Sequence, residues 1–178
     1  MTLTRQNDLD RIFDLLTWLQ TRVMRSNKLN LTDINNHTED FYRDFLNKLF
    51  GWELKNMNIV EGNFPAIDLG DLNRKLAIQV TSTASLGKIE YTVKKFVEKE
   101  LHEKFDRLVI FRIGKHVNHR TAKVTDENNL YTLEISNDVW DLDWVLKIIK
   151  DQNSGKIADI REFLLSKVIA HGTDLGLG

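Results

Sequence analysis

The sequence predicts the α/β class (mixed α+β), with a central mixed sheet of about four to five strands flanked by helices. Three observations carry this: a strand–turn–strand pattern from Phe64 to Ser82, a strongly apolar strand at Arg107–Ile113, and amphipathic helices before, between and after them. A hairpin followed by a crossover helix and another strand puts antiparallel and parallel pairing in one sheet, and helices must then cover its faces. Composition agrees. Of 178 residues, 42% are hydrophobic and 29% charged, with net charge -1, as in a folded domain rather than a disordered or fibrous chain.

The first helix rests on Leu9, Ile12, Phe13, Leu16, Leu19 and Val23, whose three-and-four spacing makes one buried stripe. A second begins near Asn36, because Asn36 and Glu39 have the spacing of a capping box; it runs through Phe41, Tyr42, Phe45 and Leu49 and stops at Gly51. Trp52 to Asn56 is read as a short strand and Asn58 to Gly62 as a connector. Ala66–Leu69 and Leu76–Thr81 are strands flanking the polar turn Leu72-Asn73-Arg74-Lys75. A third helix carries Ile89, Val93, Phe96, Val97 and Leu101. Arg107–Ile113 is apolar enough to be buried on both faces. A basic loop follows, then a strand around Tyr131–Ile135. Two helices close the chain, one holding Trp140, Trp144, Val145 and Ile148, the other starting at Ser154 with Ile157, Ile160, Leu164 and Val168. Residues 1–172 are expected to form a single domain. The glycine-rich end has no periodicity, so 173–178 reads as a flexible tail, either a frayed end or the start of a linker to a further C-terminal region.

Residue types exclude several chemistries. Without cysteine there are no disulfides, thiolate zinc sites or cysteine nucleophiles. The first residues lack the apolar core of a signal peptide, and no run approaches ~18 apolar residues, so the expectation is a cytoplasmic protein without a membrane partner. Near-zero net charge leaves any contact with nucleic acid to a local patch.

Strand periodicity singles out the hairpin. Ile67 and Leu69 point one way and Asp68 the other; Ile78 and Val80 share a face opposite to Ala77, Gln79 and Thr81. If the apolar faces coincide, Asp68 and Gln79 share the second face, directly opposite one another with Cβ atoms ~5 Å apart. A carboxylate beside an amide carbonyl offers two oxygens of the kind that hard divalent cations prefer. On most sheets such a pair is merely solvated. Here the hairpin lies between helices that should cover both faces, and buried polar groups need partners.

Two more residues join the candidate site. Lys88 falls in the first turn of the third helix, the wrong end of the dipole for a cation, where an anionic ligand would reverse the sign. An exposed lysine that tolerates the small penalty is the plainer reading. Glu39 serves equally well as a capping-box residue or, at the border of the apolar face, as a group that reaches a cleft beside the sheet.

Glu39 on a helix, Asp68 on a strand after Pro65 and Ala66, and Gln79 on the next strand resemble the PD-(D/E)xK nuclease superfamily. The resemblance implies a restriction-endonuclease-like core of helix, three strands, helix and strand. It implies Mg2+ (or Mn2+) bound by Asp68 and Gln79 with help from Glu39, and a lysine that positions or activates the attacking water. Gln79 stands where an acid is usual, and Thr81 where the lysine is expected; Lys88 is the candidate for a migrated lysine. The fuller string NFPAIDLGD…AIQVTSTASLGKIE, within Glu39–Lys95, is similar to the bacterial SMEK domain, found at the N-terminus of larger, defence-related proteins. The implied activity is metal-assisted hydrolysis of phosphodiester bonds in nucleic acid, DNA rather than RNA. The alternative is a catalytically inactive nuclease-like fold that acts as a nucleic-acid-binding or protein-interaction adaptor.

The segment RIGKHVNHRTAK, Arg112–Lys123, is basic and has no acid, so Lys115, Arg120 and Lys123 join Lys88 as candidate phosphate contacts; a solvated loop fits equally well. His116 and His119 have no helical pattern around them, which argues against a zinc site. Lys94, Lys95 and Lys99 sit beside Glu98 and Glu100, as on a solvated face. Trp140 and Trp144 are read as core or interface packing, with a homodimer one use for that surface.

Overall fold

A computed structural model describes residues 3–28, 33–60, 66–114 and 116–174. Two helices, α1 (Leu3–Lys28) and α2 (Asp33–Phe50), precede β1 (Lys55–Asn56), the single turn α3 (Met57–Val60), β2 (Leu69–Asp71) and β3 (Leu76–Thr81). The crossover α4 (Leu86–Glu98) and short α5 (Leu101–Lys104) lead to β4 (Arg107–Arg112). Then come β5 (Lys123–Thr125), β6 (Thr132–Glu134), α6 (Ile135–Asp138), β7 (Val139–Trp140), α7 (Leu142–Lys150) and α8 (Ser154–Asp174).

The turn at 72–75, with Lys75 in the left-handed region (φ 52), fixes the hairpin register as Leu69↔Ile78, Gly70↔Ala77 and Asp71↔Leu76. The expected mixed sheet follows: one five-stranded sheet in the order β1-β2-β3-β4-β7. β1, β2 and β3 pair antiparallel, whereas β3, β4 and β7 run parallel. All three parallel strands therefore end on one edge, the end where ligands settle in sheets of this kind.

β4 shows why both faces are buried. Val109 and Phe111 join Ile12, Phe45, Val145 and Ile157 from the helices on one side. Leu108 and Ile110 join Ile89, Val93 and Phe96 of α4, with Val124 and Leu133 of the β5–β6 hairpin, on the other. Among the described residues no helix is long and apolar enough to cross a membrane.

Several expectations need correction. α2 begins at Asp33, so Asn36 lies inside the helix and the capping-box reading of Glu39 falls. Phe13 is exposed, because Leu15 takes the core-facing place beside Ile12 and Leu16. β2 is shifted to Leu69–Asp71, and Ile67 packs with Ala77 on the α4 side, not with Leu69. The alternation breaks there because Ala66 has φ 92 and the Asp68 N–H donates to Ile78 O at 3.0 Å, off the regular ladder. Leu101 is buried but follows a break at Glu100, which has φ 56. Trp140 ends a two-residue strand rather than opening a helix, since Asp141 caps α7; its ring stacks on Trp144 at 4.1 Å. β5 was not expected. α8 continues to Asp174, and residues 175–178 of the expected tail lie outside the described ones.

Candidate active site

Beyond the last β2–β3 pair, the N–H of Val80 donates to the Asp68 carboxylate at 2.8 Å. This bond aims Asp68 at the C-terminal edge of the parallel strands. The paired ladder stops at Leu69↔Ile78, so Gln79 is brought beside Asp68 not by register but through its chain neighbours Ile78 and Val80, both of which hydrogen-bond to Asp68. Asp68 and Gln79 line one cleft of about 220 Å3, together with Glu39 from α2, Lys88 from α4, and Thr81 and Ser82 at the end of β3. The candidate residues Glu39, Asp68, Gln79 and Lys88, drawn from α2, the segment ahead of β2, β3 and α4, thus meet in one place.

Their electrostatics are strained in one direction. Burial, then the Asp68 charge, push Glu39 from 4.5 up to about 7, against a hydrogen bond from Asn58. Asp68 is raised as well, by burial, while the Val80 N–H, Asn58, Glu39 and the Lys88 charge hold it down. Two acids that crowd each other release their protons as a pair. A nearby cation would relieve both.

Second-tier contacts hold this arrangement. Asn56, buried in β1, donates from Nδ2 to Asp40 of α2 at 3.0 Å and accepts the Asn58 N–H at 3.1 Å. Asn58 Nδ2 in turn lies 3.5 Å from Glu39 Oε2. Sequence reading passed over both asparagines: Asn56 ends β1 and Asn58 lies in the single turn α3, and each acts on a residue distant in the chain. On the other side, Ser85 Oγ accepts the Lys88 N–H at 3.3 Å and caps α4. Thr81, at the position of the expected lysine, uses its hydroxyl locally, donating to Thr83 O at 2.7 Å.

Two carboxyls and an amide oxygen form a donor set that suits Mg2+ or Mn2+ rather than a soft metal. Among the described residues no group of three or more His, Asp or Glu gathers as a metal cluster. The set here has only two acids, and their mutual repulsion is the feature that a divalent cation fits.

The basic loop is not part of this cleft's lining. Lys115 lies outside the described residues. Arg120 lines a different cleft, and Lys123 pairs across the β5–β6 hairpin with Glu134 at 3.3 Å. Lys94 and Lys95 pair with Glu98 on the exposed face of α4, as expected. Arg112, counted with the loop from sequence, points inward to Asp141.

A family model described as the SMEK domain matches residues 11–150, well beyond the Glu39–Lys95 stretch that first suggested the likeness. The chain belongs to the SMEK domain family. The match takes in Glu39, Asp68, Gln79 and Lys88, so the cleft lies inside the SMEK domain rather than in an appended segment. No curated protein and no solved structure matches the chain.

Proposed function

We propose that this SMEK domain is a metal-dependent nuclease of the PD-(D/E)xK type, cutting phosphodiester bonds in nucleic acid, DNA rather than RNA, in bacterial defence. The observation that carries the reading is the convergence of Glu39, Asp68, Gln79 and Lys88 on one cleft. The order α2, β1, β2, β3, α4, β4, with an antiparallel hairpin feeding a parallel crossover, supports a restriction-endonuclease-like core.

Asp68 and Gln79, with Glu39, would hold Mg2+ or Mn2+. When bound, the ion would act as a Lewis acid on the scissile phosphate and lower the pKa of water. The protein's own groups divide the remaining work. Val80 holds the Asp68 carboxylate in place, and Asn58 steadies Glu39. Lys88 supplies positive charge where negative charge grows in the transition state, and the low-dielectric cleft strengthens that interaction.

A second reading has its own observation. Thr81 occupies the usual lysine position with its hydroxyl already bonded, and Gln79 brings no charge. Both fit a silent nuclease-like module that binds nucleic acid or protein, or a domain that works only as a homodimer or with a C-terminal sensor or effector module.

Nicking of supercoiled plasmid with Mg2+ or Mn2+ separates the readings. The nuclease loses cleavage in both Asp68→Ala and Lys88→Ala. Cleavage that survives in Lys88→Ala removes the lysine assignment and leaves the metal site standing. Wild type that cuts neither DNA nor RNA favours the silent module.

A further inference from the structure

A second cleft, of about 580 Å3, opens at the ends of β4 and β7 on the same edge of the sheet, and none of its residues takes part in the Asp68 site. Its floor is Arg112, the last residue of β4, with a side chain only 3% exposed. One guanidinium nitrogen, Nη2, reaches Asp141 at 3.3 Å, but Nε is buried with no partner. His119 Nε2, in the same cleft, is also buried and unpartnered. A buried donor without an acceptor costs roughly 1–3 kcal/mol, and arginine cannot escape by losing its proton.

Asp141 does not settle this account. Its carboxylate is shared among Arg112, His116 Nδ1 at 2.6 Å, and the Trp144 N–H at 2.8 Å, which it accepts as the cap of α7. His116 Nε2 faces another acceptor, Asn118 Oδ1, at 2.7 Å. Acceptors at both ring nitrogens are fully satisfied only by the imidazolium form. Hydrogen bonds to Asp141 and Asn118 raise His116 accordingly. Arg120 and Lys147 line the same space, with Asp143 as the remaining acid. Arg112, Arg120 and Lys147 therefore face Asp141 and Asp143 with positive charge in excess before His116 is counted. Residues 116–122 form no helix or strand, so this wall can adjust around a ligand.

We propose that this cleft is a phosphate-binding site, in which Arg112, His119 and Arg120 donate hydrogen bonds to a phosphate-bearing anion. Phosphate has the acceptors that the two orphaned nitrogens lack, and Arg matches its geometry better than any other side chain. The helix end contributes nothing further, because Asp141 already caps it. The inference goes beyond the nuclease reading and does not rest on it.

The test follows the ring signals of His116 and His119 by NMR in the full chain, at fixed pH, as inorganic phosphate is added against chloride of equal ionic strength. The expected result is a saturable shift with phosphate only, weakened about tenfold or more in Arg120→Gln combined with Lys147→Gln. Both substitutions are at the rim, so they avoid the folding defect expected of Arg112→Ala. A short oligothymidylate without terminal phosphate that moves the same signals identifies the ligand as a chain phosphodiester. A response to inorganic phosphate and a mononucleotide alone identifies a free phosphate ester. Equal shifts with chloride, or no weakening in the double variant, overturn the proposal. Plasmid nicking reads the other cleft and can fail without changing this result.

Discussion

Glu39 of α2 and Asp68 ahead of β2 face each other in one cleft, where the Asp68 charge adds to burial in pushing Glu39 up to about 7. The sign of the consequence follows from linkage. A folded-state value above the ordinary 4.5 means that the folded chain binds the proton more tightly than the unfolded one. The stability from that proton is whole below 4.5 and is lost as pH rises to about 7. Discounted for its partial exposure, the loss is on the order of 1–2 kcal/mol, or several degrees of Tm. In chelator, wild-type Tm should fall through this window, and Glu39→Gln should flatten the curve and be the more stable protein at pH ~8. Parallel curves for the two proteins would show that Glu39 does not carry the effect.

A divalent cation should reverse that loss. On the proposed metal-site reading, Mn2+ would bind the ionised pair and so stabilise most where both acids are deprotonated, by ~2.7 kcal/mol at a hundredfold excess over Kd. The increase in Tm should be larger above pH ~7 than near pH ~5, because protons compete for the same oxygens. Asp68→Ala should abolish it. An increase that is independent of pH, or that persists in Asp68→Ala, places the ion elsewhere.

How much of this was legible depended on whether the determinant was local. The turn at Leu72–Lys75 is a short-range signal, so the register of Leu69–Asp71 against Leu76–Ile78 could be counted along the chain, although it stops short of Asp68. Lys88 was likewise found from its helix start. The face of Ile67 was not, because Ala66 departs from strand geometry and the period of two fails there. Trp140 misled for a related reason: with Trp144 it mimics a helical repeat, although Asp141, the true start signal, lies between them. The Asn56–Asp40 contact and the Arg112–Asp141–His116 cluster join residues 16 to 29 positions apart, and no periodicity encodes such pairs.

Gly114 tests how the end of the sheet is closed. A Cβ there would lie 1.9 Å from the carbonyl oxygen of Ser82, which is main chain and cannot swing aside. Gly114→Ala must push the end of β4 from the end of β3, and Ser82 and Ile113 line the Asp68 cleft. The expected cost is about 2–4 kcal/mol by urea unfolding, with loss of Mn2+ stabilisation. Gly87 in α4 is the control: a Cβ there meets nothing within 4 Å, so Gly87→Ala should be neutral or stabilising by up to ~1 kcal/mol. Equal stability of the two variants would mean that β3 and β4 are free to separate.

Arg112 and Asp141 join β4 to the cap of α7 at 3.3 Å, with the arginine almost wholly buried. Removing one member leaves the other charged in a dry place, which is costlier than removing both. Arg112→Met should therefore destabilise less than Asp141→Ala, because Asp141 keeps His116 and the Trp144 N–H, whereas Arg112 would keep only weak contacts. Asp141→Ala also uncaps α7, at ~1 kcal/mol, for a total of about 3–5 kcal/mol. The double variant should fall short of the sum of the singles. Urea denaturation of all four proteins gives the coupling directly, and strict additivity would show that Arg112 does not depend on Asp141.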